Sequence, residues 1–178
     1  MNYDLPTSII VDEKEYKIRN DGDFRVILDI ISCLNEKDYT PEEKAEISLL
    51  IFLDVDTANL SKFPSNVKEA LNQMFLFINC GEEITDSEDQ DPPFMDWNKD
   101  LWIIAPELNS VLGYEVREKG RYTHWWSFVG AYQNIKDGMF STYVSIRKKL
   151  YKGERLDDYE RSIYEKNYKK IDISEKWE

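Results

Sequence analysis

The sequence predicts a mainly α fold: two helical lobes with a small N-terminal β-hairpin. Three observations carry this prediction. Apolar residues recur at three- and four-residue spacing through most of the chain. Only residues 8–18 read as short extended runs. One acidic, proline-ended stretch, residues 82–93, separates the helical segments into two groups.

The segment "SIIVDEKEYKI" reads as strands Ser8–Val11 and Glu15–Ile18 joined by the polar turn Asp12-Glu13-Lys14. Phe24, Ile27, Leu28, Ile31 and Leu34 then share one helical face behind Asp23, a natural N-cap. "TPEEKAEISLLIFL" opens with a capping box, with Thr40 as the cap, Pro41 at the first helical position and Glu43 reaching back. After Pro64, a third stripe comprises Val67, Ala70, Leu71, Met74, Phe77 and Ile78, and Gly81 closes it.

Residues 82–93, "EEITDSEDQDPP", offer no apolar face and no aromatic residue. The predicted organisation is therefore a hairpin and helical lobe over 1–81, an exposed linker over 82–93 that proteases should cut first, and a helical lobe over 94–178. In that second lobe, Trp97, Leu101, Ile104, Leu108 and Leu112 form a stripe between the cap Asp96 and the stop Gly113. Pro106 lies inside it and predicts a kink or break. "THWWSFVGAYQNI" follows, with Thr123 as the expected cap and Trp125, Phe128, Val129, Tyr132 and Ile135 on one face. Gly130 is expected to clear space for a ring or a second helix. "MFSTYVSIRKKLYKG" and "LDDYERSIYEKNYKK" complete the chain, the latter with acid–base pairs Asp157–Arg161 and Glu165–Lys169 four residues apart.

The 178 residues carry 35 acidic and 23 basic side chains, a net charge of −12 that opposes binding to nucleic acid. The charge is uneven: 12 basic and 9 acidic residues fall from Arg121 onward, leaving 11 basic and 26 acidic before it. Such asymmetry permits head-to-tail self-association. Cys33 and Cys80 sit in helical patterns without metal-like spacing, as reduced thiols of a cytosolic protein do. The N-terminal segment lacks the basic start and apolar run of a signal peptide, and no segment has transmembrane length, so no membrane partner is expected.

No catalytic constellation emerges, and neither a cofactor nor a metal is expected. His124, the one histidine, falls in the first turn of its helix with no nucleophile in a recognisable setting; it reads as a packing residue. "DSEDQDPPFMDW" fails as a calcium loop because Asp91 stands where glycine is needed and Trp97 where glutamate is needed. Glu15-Tyr16-Lys17 matches the E-x-K element of some metal-dependent nucleases, yet the only second acids, Asp4 and Asp12, are poorly placed for it. The candidates for partner binding are Trp126 and the basic cluster Arg147, Lys148, Lys149, Lys152 and Arg155, a plausible dock for an acidic partner.

The order of motifs "LPTSIIVDEKEYKIRNDGDFRVILDI", "FPSNVKEALNQMFLFI", "DWNKDLWIIAPELNSVLGYEV" and "THWWSFVGAYQNI…FSTYVSIRKK…KGERLDDYERSIYEKN" resembles the bacteriophage gene-product-fifteen family. The resemblance runs from about Leu5 to Ile173 and is most specific at His124-Trp125-Trp126, Phe140-Ser141 and Ile146-Arg147. Pro106 departs from the family pattern. The family is found in the tail-gene region of long-tailed phages and prophages of Gram-positive hosts, and brings no catalytic residues. It implies a non-enzymatic tail assembly chaperone-like protein in the host cytoplasm, binding the tape-measure protein and forming a homo-oligomer. The alternative is a structural component of the tail or head–tail junction, with a metal-dependent nuclease a distant third.

Overall fold

The computed structural model describes residues 4–56, 63–83 and 92–177. Its elements run β1 (Ser8–Val11), β2 (Lys14–Lys17), α1 (Phe24–Leu34), α2 (Pro41–Phe52), α3 (Val67–Ile78), α4 (Trp97–Leu112), α5 (Trp125–Gln133), α6 (Met139–Lys152) and α7 (Asp158–Ile171). The fold is mainly α with a two-stranded antiparallel N-terminal hairpin. The chain forms two compact units, Met1–Asp86 with Tyr122–Gly130, and Ser87–Arg121 with Ala131–Glu178. An uninterrupted C-terminal lobe over 94–178 therefore does not form: the segment around His124 belongs to the first unit. Residues 84–91 of the expected linker lie outside the described residues.

In the first unit the hairpin turn is shorter than its sequence predicts. Asp12 and Glu13 alone make it, at φ of +47° and +63°, and Lys14 already pairs with Val11. Two residues at positive φ match the twist of the flanking strands better than a three-residue loop would. Ile9 and Val11 are buried while Ile10 is 61% exposed, so the hairpin covers one face, against α3. Ile18 leaves the strand and bridges Leu53 instead. The Arg19 guanidinium then satisfies the end of α2 by donating to the carbonyls of Leu50, Ile51 and Leu53, each at 2.9 Å.

Asp23 caps α1 as expected, accepting from the Arg25 N–H, and the Thr40–Glu43 capping box of α2 is complete. The buried face of α1 is rotated from the expected stripe: Phe24, Val26, Ile27, Ile30 and Cys33 are buried, whereas Leu28, Ile31 and Leu34 are half-buried. Phe24 explains the rotation. Its ring stacks on Phe128 of α5 at 4.4 Å, while α1 also packs on α2, so the helix is enclosed on more than one side. Met74 and Phe77 of α3 complete this core, Phe77 against Phe52 at 5.5 Å.

In the second unit, α4 is capped by Asp96 and stopped at Gly113, as its sequence dictates. It runs unbroken through Pro106, whose ring is exposed. One missing donor on a solvent-facing position is tolerated within four turns of helix. The N-cap of α6 is Gly138, and Glu107 of α4 occupies the space where a side chain would stand. A β-carbon there would lie 2.5 Å from the Glu107 carboxylate, which accepts from the Phe140 N–H at 3.2 Å and so caps α6 from outside. Asp157 is the cap of α7, in a capping box with Glu160, and Arg161 approaches Asp158 at 3.7 Å rather than pairing with Asp157. Gly130 needs no special clearance: a β-carbon would meet nothing within 4 Å.

Candidate interaction surface

His124 is 2% exposed and stands at the cap position just before α5, one residue later than the expected cap Thr123. Its Nδ1 accepts from the Trp126 N–H at 3.1 Å, the position-two donor that a cap serves. The proton must then sit on Nε2, which donates to the Pro6 carbonyl at 2.9 Å. Both ring nitrogens are thus committed to backbone, and Phe77 meets the ring edge-on at 5.5 Å. His124→Ala should cost roughly 2–4 kcal/mol, from a lost cap of about 1, a lost buried hydrogen bond of about 1 and the cavity left behind. His124→Asn, which keeps an acceptor for Trp126, should recover about 1 kcal/mol of it. Urea denaturation of both variants measures this; an alanine variant as stable as the parent would contradict the assignment.

The adjacent tryptophans end α3. Trp125 Nε1–H donates to the Ile78 carbonyl at 2.8 Å and Trp126 Nε1–H to the Phe77 carbonyl at 2.9 Å. These are among the carbonyls that a helix C-terminus leaves unpaired. Trp126 is therefore half-buried between Phe77, His124 and Gly81, not an exposed anchor.

The basic cluster is divided by the fold. Arg147 is fully buried and grips Asp100 with both terminal nitrogens, at 2.6 and 2.9 Å. Its remaining N–H groups reach the carbonyls of Ile171, Phe94 and Lys170. It cannot dock a partner, because its side chain stands among apolar residues at a helical interval from Tyr143 and Phe140. Lys149 is also committed, its Nζ lying 2.6 and 2.7 Å from the Glu160 carboxylate oxygens. Lys148, Lys152 and Arg155 remain exposed. Sequence reasoning missed Asp100. The available signal was a pair of opposite charges, each interrupting an apolar stripe.

Lys149, first, and the Asp157 and Ser145 groups beside it hold the Glu160 carboxyl below its ordinary 4.5, against the opposing effect of burial. A carboxyl with a depressed folded pKa stabilises the protein above its unfolded pKa, and loses that contribution as pH falls through the folded value. The urea midpoint should therefore decline below about pH 4.5, and less steeply in Glu160→Gln. Equal slopes in parent and variant would contradict this.

Glu15 and Lys17 lie on exposed β2 positions, where Glu15 accepts from the Ser8 hydroxyl at 2.7 Å. Asp12 sits in the hairpin turn and accepts from Asn66 Nδ2 at 3.1 Å, so it is not delivered to the Glu15–Lys17 pair. Among the described residues, no group of three His, Cys, Asp or Glu side chains is placed to hold a metal ion. Among them, also, no helix is long and apolar enough to cross a membrane. Exposed aromatic side chains instead gather on the helices of the second unit: Trp102 on α4, Tyr151 on α6, and Tyr159 and Tyr168 on α7. Comparison with family models, curated proteins and solved structures finds no match.

Proposed function

We propose that the chain is a non-enzymatic, tail assembly chaperone-like protein that binds a tape-measure protein and associates with itself in the host cytoplasm. One observation carries this reading. The side chains best suited to chemistry, His124 and Arg147, are consumed in holding the fold, whereas large aromatic residues stand at the helical surface. The resemblance in motif order supplies the client, and a long helical client is covered best by many modest contacts on repeated copies.

Co-expression with a tape-measure protein of a long-tailed phage, followed by affinity purification, tests the reading. The two should purify together, and mass spectrometry of purified virions should lack this chain. Presence in virions with no binding to free tape-measure protein would overturn the reading in favour of a structural tail component.

A further inference from the structure

Lys166, Lys169 and Lys170 lie in the C-terminal part of α7, the last two beyond the non-helical Asn167 (φ −125°), and all three are exposed. Glu165 is the one acidic residue from position 165 to the helix end at Ile171. The Lys170 ammonium sits 4.0 Å above the ring of Trp102, which is itself 43% exposed, and the neighbouring Tyr168 is 50% exposed. Trp102 also meets the ring of Tyr143, T-shaped at 6.3 Å. The result is a cation held in place over an apolar plate, next to two further ammonium groups. Less side-chain freedom is lost when such a surface binds than when dispersed lysines do.

The chain also carries the complement. Residues 82–91, "EEITDSEDQD", contain six carboxylates, no basic residue, and an isoleucine that could meet an indole. We infer that the Trp102–Lys170 surface of one copy receives the acidic run 82–91 of a second copy, in a head-to-tail contact. This rests on the proposed self-association and names the surfaces that make it. The contact is heterologous, so it repeats from copy to copy and builds a ring or an extended coat. It replaces the dock expected around Arg147 and Lys149, whose charges are spent internally.

Light scattering after size exclusion of the full chain, from about 20 to 500 mM salt, tests the inference. The parent should associate at low salt and dissociate as salt rises. Lys166→Glu, Lys169→Glu and Lys170→Glu together should raise the dissociation constant at least about tenfold, with the corresponding glutamine variant intermediate. Reversing Asp86, Glu88 and Asp89 to lysine should do the same. An equimolar mixture of the two reversed proteins should associate again, because each then supplies the charge that the other lost. Circular dichroism melts confirm that each variant is folded. Association that survives either reversal, or a mixture that stays dissociated, overturns this contact while leaving self-association standing. A parent that is monomeric throughout overturns both.

Discussion

Replacing Arg147 with alanine should unfold the second unit at denaturant concentrations where the parent is intact, with a loss of about 3–5 kcal/mol. The cause is less the lost attraction than what is left behind. Asp100 would remain fully buried as an unpaired charge, and the carbonyls of Phe94, Lys170 and Ile171 would lose their donor. Asp100 keeps the Asp96 N–H, at 2.8 Å, and its place in the first turn of α4. Arg147→Lys should fail to rescue, because an ammonium group has three donors and no planar fork for five contacts. The pair Arg147→Met with Asp100→Leu should be less damaging than Arg147→Ala, since both charges leave together. Urea unfolding followed by near-ultraviolet circular dichroism reads these differences. An alanine variant within about 1 kcal/mol of the parent would show that the buried pair does not hold the unit. The same geometry decides how docking is tested: reversing Arg147 would probe folding, not partner binding.

Gly22→Ala should cost about 2–4 kcal/mol, combining a left-handed backbone penalty of about 1 with overpacking of about 1–3. Asn20, Asp21 and Gly22 form a left-handed turn at φ of +49°, +51° and +79°. A β-carbon on Gly22 would lie 2.7 Å from the Phe77 ring and 3.2 Å from His124 Nε2. Neither neighbour can retreat, because Phe77 is packed on Phe52 and His124 is tied to Pro6 and Trp126. Gly120 provides the control. It has the same φ of +79° but open space where a β-carbon would go, so Gly120→Ala should show the backbone penalty alone. Equal losses at the two positions would remove the steric part of the explanation.

The helices were legible in the sequence because their signals are local. The caps Asp23, Thr40 and Asp96 and the stop Gly113 act within a turn of the residues they serve, and each stands where the pattern predicts. What sequence reasoning misplaced depends on partners far along the chain. His124 becomes a cap, in a defined tautomer, only because Pro6 accepts from it across 118 positions. Arg147 looks like one of five surface cations until Asp100, 47 positions away, is brought against it. Trp126 looks like an exposed anchor until the end of α3 presents the Phe77 carbonyl. The candidate surface was therefore the least legible part. Its membership depended on which charges the interior had consumed, and no periodicity reports that.

The return of Tyr122–Gly130 to the first unit sets a timetable for synthesis. Phe128, which stacks on Phe24, and Trp125, which closes α3, are made only after the whole of α4 has left the ribosomal active site. At roughly 5–20 residues per second, the 47 residues from 84 to 130 take about 2–10 s to add. For that interval the nascent N-terminal helices present the apolar faces of Phe24 and Phe77 without their final cover.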